Sequence, residues 1–354
     1  MISIKLHKTL AKFAKDNNIN DTEIARVVTV HKDRYIIQDE NSALKAEITG
    51  NIRFTAQSGA DFPTVGDWVR FTKMDDENAI ILELFPRFSL LQRQAVGKHG
   101  DVQLIAANVD TAFIVQAVGH DFNPNRLERY LAICYAGNIN PVLILSKTDL
   151  VEKSECLKLI DEVKNRLKNI KTIALSNETK EGIDLLKTEL ETSRTYCFLG
   201  SSGVGKSTII NQLLNKQILE TRTISESTSK GRHTTSHREL FVLENKSIVI
   251  DTPGMRELGV TDSSEGLEMT FDDIADLADE CKFSDCSHTS ESGCAVLNAV
   301  ENGNLSEESF ENYLKLKREQ EHFSSTVYEK RRRDKEFGKM IKSVLNEKKR
   351  SKPR

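Results

Sequence analysis

The chain has 354 residues, 38% of them hydrophobic and 29% charged, and a formal net charge of −3. That length exceeds what one hydrophobic core usually organises, and that composition excludes a chain dominated by membrane spans or by disorder. Three of the six cysteines fall between 281 and 294, which points to a metal cluster and not a disulfide scaffold, and the first 18 residues carry charges where a leader would be apolar, so a cytoplasmic protein without a membrane partner is expected.

Residues 1–24 read as a polar, partly helical extension. From Ala25 the texture becomes short alternating runs: Ala25–Val30, Tyr35–Gln38, Leu44–Ile48, Trp68–Thr72 and Ala79–Leu84. Polar or Gly/Pro/Asp turns separate them, which predicts a small antiparallel barrel of about five strands over residues 25–90, OB-like in size. Trp68, within Gly66-Asp67-Trp68-Val69, is read as a core residue and not as a stacking platform for nucleic acid. Pro86 to Gly100 reads as a linker carrying Arg87, Arg93 and Lys98.

After the linker the pattern is α/β. Thr111–Val118 is a buried-strand run, and Asn123-Pro124 opens a helix with Leu127, Tyr130, Leu131 and Cys134 at helical spacing. A strand at Pro141–Leu145, a helix through Leu157, Ile160, Val163 and Leu167, a strand at Lys171–Leu175 and a short helix near Glu181–Leu190 follow. Such alternation describes a parallel sheet covered on both faces.

Ser146-Lys147-Thr148-Asp149 follows the Pro141–Leu145 strand and resembles the [N/T/S]-K-x-D signature of GTPases, whose aspartate accepts hydrogen bonds from guanine N1–H and the 2-amino group. Its place at the carboxyl end of a parallel strand is where α/β sheets hold ligands, and Ser176 in the next such loop would support the base edge. Thr195–Leu199 then leads into Gly200-Ser201-Ser202-Gly203-Val204-Gly205-Lys206-Ser207-Thr208, a match to the phosphate loop G-x-x-x-x-G-K-[ST]. In that pattern the glycines turn backbone N–H groups toward a polyphosphate, Lys206 neutralises the β and γ phosphates, Ser207 completes a Mg²⁺ shell, and the helix over Thr208–Leu214 aims its N-terminus at the anion.

Downstream, Gly231-Arg232-His233-Thr234-Thr235 sits where a switch I threonine reports the γ-phosphate through Mg²⁺. Asp251-Thr252-Pro253-Gly254 follows the Ser247–Ile250 strand and resembles the D-x-x-G element, in which Asp251 orients the metal's water and the Gly254 amide meets the γ-phosphate. All the parts of a GTPase are present over residues 91–262, but base recognition precedes the phosphate loop. A circular permutation accounts for that order, and it makes the second switch run straight into the C-terminal region.

Cys281, Cys286, His288 and Cys294 have the spacing C-x₄-C-x-H-x₅-C, which closes a tetrahedral zinc shell without an open position and predicts a structural site in a helical domain over residues 263–328. Asp272–Asp279 reads as a helix, and Ser306 starts another whose buried stripe is Phe310, Tyr313 and Leu314. Residues 329–354 hold 12 Lys/Arg against 4 Asp/Glu, the footprint of a phosphate-backbone contact.

The permuted order, the Pro86–Arg93 run P-R-x-S-x-L-x-R, Asn108-Val109-Asp110, the Asp121–Tyr130 run and the cysteine cluster together resemble the small ribosomal subunit biogenesis GTPase family, RsgA, over about residues 25–325. The resemblance implies a multi-domain α/β chain: an N-terminal OB-like barrel, a circularly permuted GTPase domain and a C-terminal zinc-containing helical domain. It further implies GTP as substrate and GDP as product, Mg²⁺, one structural Zn²⁺, and action on the 30S subunit and its 16S rRNA late in maturation, hydrolysis being coupled to release. A monomer is expected. Ser146 replaces the commoner Asn, which predicts a weaker tether between base loop and phosphate loop, and Ser292 stands where Pro is frequent. Met255 occupies the place of the glutamine that orients attacking water in Ras-like enzymes. Slow intrinsic turnover follows, with His233 as the water-positioning candidate beside the other catalytic residues Lys206, Thr234, Thr235, Asp251 and Gly254. The alternative is an RNA-binding assembly factor that uses GTP as a slow conformational timer.

Overall fold

In a computed structural model of the protein, which describes residues 6–31, 34–94, 102–167, 170–219, 238–252 and 264–324, the alternating runs of the first third become a closed barrel. Its strands are β1 (Ile24–His31), β2 (Arg34–Gln38), β3 (Ala43–Ile48), β4 (Trp68–Lys73) and β5 (Asn78–Leu84). β1 pairs antiparallel with both β2 and β4, β3 lies parallel to β5, and β4–β5 completes the ring. Every second side chain points inward, so Val27, Ile37, Leu44, Val69, Phe71 and Ile81 fill the interior. A short helix that the sequence pattern did not mark, α2 (Gly50–Thr55), connects β3 to the 3₁₀ turn before β4, with Thr49 accepting the Ile52 amide as its cap.

Two expectations need correction. Within residues 1–24 the expected helix, α1 (Lys8–Asp16), is a packed element and not an extension: Leu10 and Ala14 are buried and the Phe13 ring lies tilted against Phe85, centroids 4.9 Å apart. The stretch read as a linker contains β6 (Leu90–Gln94), paired antiparallel with β7 (Val102–Ala107). Leu91 of β6 is fully buried, which is reason enough for a strand there in place of a solvated connection.

The second unit is a six-stranded sheet of β8 (Thr111–Ala117), β9 (Asn140–Ser146), β10 (Lys171–Ala174), β11 (Thr195–Leu199), β12 (Glu239–Val242) and β13 (Ile248–Asp251) in the spatial order β10-β9-β8-β11-β13-β12. All neighbours are parallel except β12 with β13. β11, which feeds the phosphate loop, thus lies near the middle, with the three earlier strands β8, β9 and β10 on one side and the two later strands β12 and β13 on the other. Helices cover both faces: α3 (Pro124–Ala136) and α4 (Lys153–Arg166) bring Leu127, Tyr130 and Val163 to one core, while α5 (Ile183–Thr188) and α6 (Lys206–Leu214) bring Leu186, Ile209 and Leu213 to the other. Asn123 caps α3 by accepting the Arg126 amide, with Pro124 at the first helical position.

β12 continues across to the barrel through an antiparallel bridge between Thr29 and Glu239. The third unit is helical, with α7 (Ser264–Thr270), α8 (Asp272–Asp279), α9 (Ala295–Glu301) and α10 (Glu307–Ser324). Its core of Leu267, Phe271, Ile274, Val296 and Phe310 also takes in Ala132 of α3.

Candidate nucleotide and metal sites

The phosphate loop sits at the carboxyl end of β11, and its conformation needs glycine: Gly200, Gly203 and Gly205 all have positive φ. α6 begins at Lys206, so its free N–H groups face the loop interior. The Lys206 ammonium lies over the loop, donating to the carbonyls of Gly200 at 2.8 Å and Ser201 at 2.7 Å. Ser207 and Thr208 follow in the first turn.

Two neighbouring loops converge on the same place. Ser146, at the end of β9, is buried, and its hydroxyl donates to the Val204 carbonyl at 2.7 Å. The tether expected to be weakened by serine is therefore made directly. Lys147 takes the left-handed conformation at φ +61°, which turns the chain into a single 3₁₀ turn over Thr148–Leu150 and presents Asp149 at the surface. Ser176 follows β10, donates its hydroxyl proton to Asp149 Oδ1 and accepts the amides of Glu178 and Thr179, so the carboxylate is aimed by a fully engaged hydroxyl.

Asp251 ends β13, next to β11, and is nearly fully buried. Burial pushes its carboxyl up to about 6, against the pull of nearby Lys206. The Thr252 hydroxyl donates to the Phe198 carbonyl at 2.7 Å and fixes the strand end against β11. His233, Thr234, Thr235 and Gly254 lie outside the described residues, as does the 329–354 tail.

In the helical unit, Cys281, Cys286, His288 and Cys294 bring their ligand atoms within 4.8 Å of one another. Cys281 Sγ is 3.8 Å from Cys294 Sγ, and His288 Nδ1 lies 3.6 and 3.5 Å from those sulfurs. A zinc–sulfur bond of about 2.3 Å gives a tetrahedron with sulfur–sulfur edges of about 3.8 Å, so three thiolates and an imidazole with these spacings fit that ion. Burial raises the Cys281 thiol, but the amides of Ala295 and Val296 at the start of α9 together with the Cys294 and Cys286 side chains hold it below its ordinary value, while burial pushes Cys286 up to about 11.

The sequence pattern did not single out Glu291, whose carboxylate accepts from the Ser287 hydroxyl and from the amides of Ser287, Thr289 and Ser290. These bonds hold it well below the usual carboxylate range and fix a loop in which His288 has φ +61°. Its only sequence signal is an acid between the last two ligands. Trp68 is buried beneath the Arg26 guanidinium, 5.3 Å from its ring centroid, and is a core residue as read.

Residues 84–261 match the family model described as RsgA GTPase. The chain is 39% identical over 329 residues to small ribosomal subunit biogenesis GTPase RsgA 1 of Bacteroides thetaiotaomicron, covering 93% of this chain and 92% of that one. It is 43% identical over 317 residues to RsgA 2 of Lactiplantibacillus plantarum, covering 89% and 88%. Among solved structures, YjeQ from Thermotoga maritima superposes with a TM-score of 0.64 at 25% identity, over 86% of this chain and 99% of that one. YloQ, described as a circularly permuted GTPase, superposes with a TM-score of 0.59 at 23% identity over 86% and 96%, a likeness of fold.

Proposed function

The chain belongs to the RsgA GTPase family, and from that premise we propose that it hydrolyses GTP during late maturation of the small ribosomal subunit, with turnover stimulated by the subunit and coupled to release. The observation that carries this reading is the convergence of the 146–149 loop, Ser176 and the phosphate loop through side-chain hydrogen bonds, although the chain supplies them in permuted order.

Asp149 accepts the guanine N1–H and 2-amino protons, held in place by Ser176. The amides of residues 200–208 and the Lys206 ammonium take the phosphates, and Lys206 exchanges its loop carbonyls for phosphate oxygens. Ser207 would hold Mg²⁺ directly and Asp251 through water, and the ion would supply positive charge to neutralise the phosphates. Water attacks the γ-phosphorus as the bond to the bridging oxygen breaks, giving GDP and phosphate. Met255 offers no group to orient that water, so His233, with Thr234, Thr235 and the Gly254 amide, completes the site in contact with the subunit. The Cys281, Cys286, His288 and Cys294 set holds a structural Zn²⁺, and the basic 329–354 segment meets 16S rRNA phosphates. Among the described residues no helix is long and apolar enough to cross a membrane, and we read the protein as a cytoplasmic monomer.

Phosphate release from GTP and ATP, by the full chain alone and with stoichiometric 30S or 50S subunits, tests the reading. GTP alone is consumed, slowly by the free protein and roughly 10³-fold faster or more with 30S. Equal stimulation by 50S, or none by either, counts against it and favours a timer that merely binds RNA.

A further inference from the structure

Behind the base and phosphate loops stands a second layer of hydrogen bonds, made by two residues outside every motif. Asn177 follows Ser176, and its Nδ2 donates to the Gly205 carbonyl at 3.4 Å. The main-chain oxygen of Asn177 accepts from Gln212 Nε2, on α6, at 3.0 Å. Gly205 has φ +98°, and a Cβ there would lie 2.5 Å from Asn177 Nδ2, so the amide packs directly on the last residue of the phosphate loop.

The geometry of a trans peptide turns this contact into chemistry. Carbonyl and N–H of one peptide point in opposite directions. Ser146, by holding the Val204 carbonyl at 2.7 Å, aims the Gly205 N–H the other way. Asn177, by holding the Gly205 carbonyl, aims the Lys206 N–H. One bond from each base loop therefore orients two successive phosphate-binding amides. Asn177 Oδ1 and Gln212 Oε1 are both buried without a hydrogen-bond partner. An unpaired buried acceptor is costly, so amides at both positions are favoured only if their NH₂ groups do something an apolar side chain cannot.

We propose that Asn177, anchored by Gln212, is a positioning residue of the nucleotide site: it orients the Gly205–Lys206 peptide toward the phosphates and so makes guanine-nucleotide residence time depend on the loop that frames the base. This rests on the reading of residues 200–208 as the phosphate site.

The test is release of a fluorescent N-methylanthraniloyl GDP from the full chain, followed by stopped flow. Losing one hydrogen bond to the loop should speed release from N177A by about fivefold, and from Q212A by about threefold. N177D keeps the shape but sets a second acceptor against the Gly205 carbonyl, so it should release faster still, by about tenfold or more. A space-filling role would leave N177D like the wild type, and that result overturns the proposal. The preference for GDP over inosine diphosphate, which lacks the 2-amino group read by Asp149, should stay unchanged in all three variants. Should N177D fail to fold, wild-type release rates in both N177A and Q212A overturn the idea instead. A wild-type chain that does not retain the labelled GDP at all would strike the nucleotide reading itself.

Discussion

The two joints that hold the three units together are built in different ways. The barrel meets the nucleotide sheet through main chain and buried charge. β1 and β12 pair at Thr29 and Glu239, and Arg26 reaches from β1 to Thr195 Oγ1 of β11 at 2.8 Å and to the Asn108 carbonyl at 3.3 Å. Desolvation pulls Arg26 down to about 10, offset in part by Asp110 and Asp67. Asp67 is itself fully buried and pairs through both oxygens with Arg87, at 2.8 and 2.7 Å. Burial raises its carboxyl despite Arg87. The helical unit is attached by helix packing and by side chains of α3 and α4 instead, Arg166 of α4 also pairing with Glu308 of α10 at 3.5 Å. Glu128 of α3, fully buried, accepts from Arg166 of α4 at 2.7 Å and from Asn312 and Ser309 of α10 at 2.6 and 3.2 Å. Arg129 pairs with Glu319 through both oxygens, and Gly266 of α7 packs so closely that a Cβ would lie 2.4 Å from the Ala132 carbonyl. A joint made of shared sheet ties barrel and nucleotide site through main chain, whereas the helical unit is joined by helix packing on α3 and side-chain bonds from α3 and α4, so we expect it to loosen before the sheet does.

The largest expected effect is that of metal removal. On the proposed zinc assignment, stripping the metal with a strong chelator should forfeit binding energy on the order of 10 kcal/mol, which in small metal units is folding energy. Hydrogen exchange should then show α8, α9 and α10 losing protection while β1, β8 and β11 keep theirs; loss across the sheet would erase the contrast between the joints.

D67A comes next. It leaves Arg87 without its buried partner, which costs about 3 to 5 kcal/mol, and barrel and sheet should melt together at a lower temperature. Separate transitions would mean the two are less fused than their shared sheet implies.

D251N acts in the opposite sense. Because the carboxyl titrates at about 6 in the folded protein and 3.8 when unfolded, the unfolded state binds fewer protons between those values. Stability is then lost as pH rises from about 4 to 6, and the full cost stands above 6. The nucleotide-free variant should exceed wild type by on the order of 2 to 3 kcal/mol at pH 7.5, in the joint barrel and sheet transition, with the gap closing as pH falls toward 4. A gap that is constant with pH would remove the titration from the account.

E128Q is the smallest of these changes. It keeps the shape and weakens charge-assisted bonds, so we expect a loss of about 1 to 3 kcal/mol, read as faster exchange in α10 with the sheet unchanged.

What was legible in the sequence is local. The phosphate loop, the Ser146–Asp149 loop, Asp251 and the cysteine cluster are short runs in which the chemistry dictates residue types at fixed spacing, and the barrel strands follow from alternation. The joints were not legible, because Arg26 finds its partners at Gly66, Asn108 and Thr195, and no window of sequence contains them. Arg87 read as a linker charge because a charged residue beside proline usually faces solvent; only the distant, buried Asp67 draws it in. The same holds for β6, whose five residues gain strand character from β7 and from the burial of Leu91. Asn108 and Asp110, which in the sequence served as marks of resemblance, and Glu128 and Arg129, which the helical reading of the Asp121–Tyr130 run did not single out, acquire physical roles at the two joints: the first pair on the barrel side, the second on the helical side.

The permuted guanine site itself is tested most directly by D149N in 30S-stimulated turnover. Guanine carries an amino group at C2 and xanthine a carbonyl, and the asparagine amide can donate to the second but cannot accept both protons of the first. Turnover of GTP should fall to background and turnover of xanthosine triphosphate should appear under the same conditions. A variant that continues to hydrolyse GTP at the wild-type rate would contradict the assignment of Asp149, and with it the placement of the base beside the phosphate loop.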